Sequence, residues 1–292
     1  MAGTSVGTLA HLWRFPVKSM QGERLSETAV SERGIVGDRA YGLIETATGK
    51  VVSAKGVKAY PQLLACRAEF VEAPRTDAAL PPVRITFPDG SNITSDSAQL
   101  NAVLTKFFGR GVTLARSAPA NFTIDEHHLD LVKDEPGAAV EAQLGSALFT
   151  KLGATSPVPV GAFFDAFPLS LLTTSTLQRL SVLSPQSRFD ERRFRMNVIV
   201  RSDTPGFIEN DWPGRTLEIG DQVRLHVALR DPRCVMTTLA QGDLPRDVEV
   251  LRTLNAHNRV PVGSSGDMPC AGVYAVITST GALRAGDEIR LA

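Results

Sequence analysis

Apolar and polar positions alternate with a period of two through much of the first third of the chain, as in GTLAHLWRF, AYGLIETATGKVVSA and VRITFPDGSNITS. That period puts every second side chain on one face of a strand, so these stretches predict short β-strands. Thr48-Gly49 and Asp89-Gly90 fall between such runs and fit hairpin turns, where glycine supplies a positive φ. The period changes in SDSAQLNAVLTKFFGR, where Leu100, Val103, Leu104, Phe107 and Phe108 keep helical spacing. Ser95 or Asp96 can cap the start of this helix and Gly109 can end it. It is expected to close one side of a barrel.

Between about residues 116 and 165 the chain turns polar and proline-dotted (SAPANFTIDEHHLDLVKDEPG, then TSPVPVGAFFDAFP), the pattern of a crossing from one domain to the next. Beyond it, one helix is expected at STLQRLSVL, opened by Thr173, Thr174 or Ser175. Another is expected at DVEVLRTLNAHNR, where Val250, Leu251 and Leu254 share a face. The rest reads as strands. LEIGDQVRL and LRAGDEIRL each hold Gly-Asp between alternating residues and suggest two similar hairpins. On a strand, RFRMNVIV would turn Phe194, Met196 and Val198 to one face, and Arg195, Asn197 and Ile199 to the other.

Length and composition narrow the class. The 292 residues suggest about two domains, and 43% hydrophobic content fills a core in each. Lys plus Arg and Asp plus Glu both number 31, so there is no broad positive field for nucleic acid or an anionic membrane. No apolar run approaches the ~18 residues of a membrane span, and the start lacks a signal core, so a cytoplasmic, membrane-free protein is expected. Three cysteines, at 66, 234 and 270, form no C-x-x-C pair. That argues against a disulfide framework and against protein-held zinc or iron–sulfur centres, so any redox centre must be imported.

The chemistry-bearing residues are few. G-x-x-x-x-G-K, H-E-x-x-H, G-x-S-x-G and G-x-G-x-x-G are missing, and adjacent His127 and His128 would face opposite sides of a strand. Cys234, in DPRCVMTTLAQGD, follows Arg233. Beside a fixed cation a thiol becomes a nucleophile or a ligand for a soft metal; otherwise it packs as a small hydrophobe. Four further clusters could serve a phosphate: Lys18 and Ser19 in FPVKSMQG, Arg39 in GIVGDRAYG, Thr173 and Ser175 at a helix start in FPLSLLTTS, and Arg195 with Asn197.

In their order and combination these residues resemble a known family. FPVKSMQGERL with GIVGDRAYGLIETATGKVVSAK, then RFRMNVIV as F-R-x-N-x-x-V, then RCVMTT as R-C-x-x-T-T, are similar to MOSC proteins that carry an N-terminal β-barrel partner domain, the molybdenum-containing amidoxime-reducing proteins. The resemblance implies a β-rich α+β fold, with an N-terminal β-barrel over residues 1–115 and a MOSC β-barrel domain over 116–292. It implies a molybdenum cofactor with Cys234 as metal ligand. Lys18, Ser19 and Arg39 would contact it from the first domain, and Thr173, Ser175, Arg195, Asn197 and Arg233 from the second. It further implies reduction of small N-hydroxylated compounds, with electrons from a ferredoxin- or cytochrome-type donor and its reductase, since this chain shows neither a membrane anchor nor a clustered-cysteine ferredoxin domain. A sulfurase-like association with pyridoxal phosphate accompanies the family. The alternatives are a carrier of cofactor or sulfur, with a persulfide on Cys234, and a cofactor-free binding domain. This chain departs from the family pattern at Met20, where relatives often have a second cysteine, and at Ser53, Ala54 and Lys55, where they have T-A-R.

Overall fold

The structure, a computed structural model, describes residues 3–151 and 154–292. Seven strands form a closed barrel: β1 (Thr4–Arg14), β2 (Leu169–Thr173), β3 (Val198–Arg201), β4 (Thr216–Ile219), β5 (Val223–Pro232), β6 (Asp267–Ser279) and β7 (Glu288–Leu291). Their order is β2, β3, β1, β7, β4, β5, β6 and back to β2. Only β2 and β3 pair in parallel. Alternation places Leu217 and Ile219 of β4, and Val223, Leu225 and Val227 of β5, in one dry core with Leu9, Leu12, Val198, Val200 and Ile289. Closure satisfies the backbone groups that an open edge would leave unpaired.

The first strand is a stave of this barrel although the rest of the barrel comes from residues 169–291. It is bulged between Ser5 and Gly7. Gly7 takes φ 146°, and a Cβ there would lie 2.0 Å from the carbonyl oxygen of Arg201, so glycine alone fits the close approach.

The remainder of the first half consists of short strands in two- and three-stranded sheets around a second core, which includes Met20, Tyr41, Leu43, Cys66, Phe70, Ile85 and Leu104. The turns at Gly49 and Gly90 form as expected, both with positive φ. The helix is Leu100–Phe108, ended by left-handed Gly109, but its N-cap is Gln99, without a side-chain cap bond, rather than Ser95 or Asp96. The later helices are Thr174–Leu183 and Glu249–His257. Among the described residues no helix is long and apolar enough to cross a membrane.

Three sequence expectations are corrected. The polar stretch from 116 to 165 contains a hairpin, Thr123–Asp130 with Glu135–Gln143, whose second strand is exposed along most of its length and so shows no apolar alternation. LEIGDQVRL is a hairpin, but LRAGDEIRL is not: Gly281–Arg284 pairs with Glu27–Ser31, while Glu288–Leu291 is β7 of the barrel. The Gly286-Asp287 backbone bonds to Leu9 in β1, which draws the chain from one sheet to the other. In RFRMNVIV only Val198 onward is strand, because Arg195 takes φ 55° and breaks the alternation.

Candidate functional site

At the barrel end where β1 and β5 finish and β2 begins, the two halves enclose a cavity of about 250 Å³. From the first half come Lys18, Ser19, Arg39 and Lys55, and from the second Arg195, Asn197, Arg233 and Cys234. The cavity thus gathers seven of the nine residues singled out in the sequence. Thr173 and Ser175 are not part of its wall. Thr173 Oγ1 accepts from the Thr176 amide as the helix cap and also bonds to Glu209 and Ser175, so this hydroxyl pair is spent inside the fold. Ser170, from the same FPLSLLTTS stretch, does line the cavity, and its hydroxyl donates to Asn197 Oδ1 at 3.2 Å.

The halves are pinned together through these residues. Arg195 Nη1 donates to the Met20 carbonyl at 2.7 Å, Arg39 Nη2 to the Arg195 carbonyl at 3.1 Å, and Lys18 Nζ to the Phe163 carbonyl at 3.1 Å. Asp38, buried beside the cavity, accepts from the Phe15 amide at 2.7 Å, from Asn197 Nδ2 at 2.9 Å and from Arg39. The Phe15 ring lies 4.8 Å from the Arg39 guanidinium and 4.4 Å from that of Arg195. One aromatic face system therefore steadies two like charges.

The backbone is also set for this site. Among the described residues four non-glycine residues have positive φ, and three of them, Ser19 (65°), Arg39 (47°) and Arg195 (55°), line the cavity. Each costs roughly 1–2 kcal/mol relative to an ordinary conformation, a strain that persists where surrounding contacts over-determine it.

Five cationic side chains, Lys18, Arg39, Lys55, Arg195 and Arg233, line the cavity against two carboxyls, Asp165 and Asp231. Burial would raise Asp165, but Lys18 and Lys55 outweigh it and hold the carboxyl well below the usual range. Asp231 goes the other way: burial raises it to about 6 although Arg233 opposes the shift. Burial and neighbouring Arg39 lower the Arg195 guanidinium, which an anion in the cavity would relieve. Arg233 bonds to Asp231 and to the Phe194 carbonyl, yet its buried Nε has no hydrogen-bond partner among the described residues.

Cys234 is the half-exposed thiol of the chain. Cys66 and Cys270 are fully buried, and burial pushes both up to about 12, so they pack as inert hydrophobes. His127 is buried, with its ring against the Lys55 carbonyl at 3.2 Å, while His128 faces outward, as opposite faces of a strand require. Among the described residues no three His, Cys, Asp or Glu side chains group as a metal site. The donor set is one thiol amid cations, which suits a soft metal that brings its own anionic ligand. Sequence reasoning marked Lys55 only as a departure from the family pattern and passed over Asp165, Asp231 and Asp38, although Asp38 and Asp231 sit beside assigned residues in GDRAYG and DPRC.

A strained, cationic cavity with one thiol, closed between a seven-stranded barrel and a second β-rich unit, defines the class. The chain belongs to the MOSC family: the MOSC N-terminal beta barrel domain matches residues 6–116 and the MOSC domain matches residues 159–290. Among curated relatives it is similar to mitochondrial amidoxime-reducing component 1 of Mus musculus, at 24% identity over 98% of this chain and 82% of the relative. It is also similar to the Homo sapiens protein of that name, at 25% identity over 98% of this chain and 83% of the relative. The YUAD protein from Bacillus subtilis aligns in structure over 100% of this chain and 98% of its own, at 10% identity and a TM-score of 0.45.

Proposed function

We propose that this chain holds a molybdenum cofactor in the cavity and reduces small N-hydroxylated compounds with electrons delivered by a separate protein. The observation that carries the reading is the Cys234 thiol set among five buried or half-buried cations, one of which, Arg233, keeps an unused buried donor. When bound, the group supplies a two-electron centre able to take oxygen from an N–O bond, the oxygen leaving as water with two protons.

The chain's residues bind and orient. Cys234 would be the metal ligand, and Arg39, Arg195 and Arg233, with fixed planar donors, suit phosphate and heterocycle edges, as do Lys18 and Lys55 as point charges. Ser19 and Asn197 add neutral hydrogen bonds. Asp165, held ionised by two lysines, balances their charge, and Asp231 near 6 can hold or release a proton inside the cavity. The amidoxime-reducing names of the curated relatives agree with this reading.

The test is purified chain carrying measured molybdenum, given a simple amidoxime and an artificial low-potential donor. Turnover is expected with that donor and not with NADH alone. Cys234→Ala is expected to abolish it, with Cys66→Ala as the control that keeps it. Full metal loading without reduction by any donor would move the reading to a cofactor or sulfur carrier.

A further inference from the structure

Away from the thiol cavity the molecule has a second cleft, of about 180 Å³, that shares only Arg195 with the first. Its aromatic side is Trp13 and Phe15, stacked with ring centroids 6.3 Å apart and planes 17° apart. Arg24, Arg67 and Arg192 stand around it, with one carboxylate, Glu191. Glu191 is already engaged, by His11 Nδ1 at 2.7 Å and by Trp13 Nε1 at 2.8 Å. Arg192 is tied to Asp190 and Asp243, and Arg67 to Glu69. The Arg24 guanidinium has no ion-pair partner among the described residues.

The second observation is Gln241, which lines the cleft and is 4% exposed. Its backbone is fixed by two hydrogen bonds with Leu244, each 2.9 Å, yet its side-chain Nε2 has no partner among the described residues. A buried amide left unsatisfied costs about 1–3 kcal/mol, so natural folds leave one where a ligand or water completes it.

We propose that this cleft is a second binding site, for a small planar aromatic carboxylate. The ring packs against the half-buried Trp13 indole, the carboxylate meets Arg24, and the Gln241 amide supplies a hydrogen bond. Each part of the ligand answers one feature: an aliphatic anion leaves the aromatic side unused, and a cation meets only arginines and an engaged glutamate.

The experiment is calorimetric titration of the full chain with benzoate, alongside tryptophan fluorescence. The chain has two tryptophans, and Trp212 is 2% exposed in the barrel core, so a ligand-induced change reports on Trp13. Saturable heat with a fluorescence change is expected for benzoate and not for acetate. Arg24→Ala is expected to weaken binding about tenfold and Gln241→Leu about threefold, with circular dichroism unchanged. Absence of saturable binding overturns the site. Equal binding of acetate, or benzoate binding that survives in both variants, overturns it too.

Discussion

The barrel interior and the cavity at its end draw on the same strands but solve opposite problems. Inside the barrel Leu9, Leu12, Val200, Leu225 and Ile289 are at most 1% exposed and apolar throughout, and their burial stabilises the fold. At the cavity, buried arginine, lysine and aspartate side chains and three left-handed backbones work against stability. The difference teaches where selection for folding gives way to selection for a ligand: at the cavity, groups that cost stability gather where another molecule can use them.

The sharpest way to break this comparison is one substitution in each region. Leu225→Ala empties part of a closed core and should cost about 2–5 kcal/mol, read as a large drop in melting temperature. Cys234→Ala should leave the melting temperature unchanged while removing turnover. A comparable loss of stability in both would dissolve the distinction.

Asp38 joins the regions, since it holds the Phe15 amide after β1, its neighbour Arg39 and, across the seam, Asn197 before β3. Asp38→Ala leaves a half-buried guanidinium and a buried amide without their acceptor and should cost about 3 kcal/mol in chemical denaturation. Cofactor retention should fall with it.

The two cavity carboxyls sharpen the contrast through pH. Asp231 is raised by burial to about 6 from 3.8, so its protonated form is the one the fold favours. Its stabilising share is complete below about pH 4 and is lost as pH rises through about 6. Asp231→Asn should therefore gain on the parent between pH 4 and 6 and hold a constant advantage above. Asp165, depressed by Lys18 and Lys55, contributes above its ordinary value and loses that share as pH falls. Denaturation midpoints across pH for parent and Asp231→Asn check the sign.

The smallest effect tests strain away from the site. Gly109 ends its helix at φ 66° with open space around a would-be Cβ, so Gly109→Ala should cost about 1 kcal/mol and leave ligand binding untouched.

Much of this was legible because it is local. Alternation in LEIGDQVRL marks a hairpin, 3.6-residue spacing marks Leu100–Phe108, and R-C-x-x-T-T marks the thiol. What escaped depends on distance in space. Asp165 looks like a loop acid until Lys18 and Lys55 are beside it, and Thr173 looks like an anion donor until Glu209 is seen to take its hydroxyl. Gly286-Asp287 looks like a hairpin turn because only Leu9, some 280 residues away, redirects it. The strained backbones of Ser19, Arg39 and Arg195 leave no mark in the sequence, since none of the three is glycine or asparagine.

Pairing of β1 with β7 gives the molecule an order of assembly. Thr4 faces Leu291 and Thr8 faces Glu288, so the earlier of the two staves must wait, unpartnered on that side, until residues 288–291 have left the ribosome. Contacts of such sequence separation make closure slow, and the waiting strand edge is open to other chains meanwhile. For the same reason residues 159–290, cut out as an independent unit, would form a six-stave sheet with two bare edges. Expressed alone, that fragment should aggregate, and a peptide of β1 supplied in trans should rescue it.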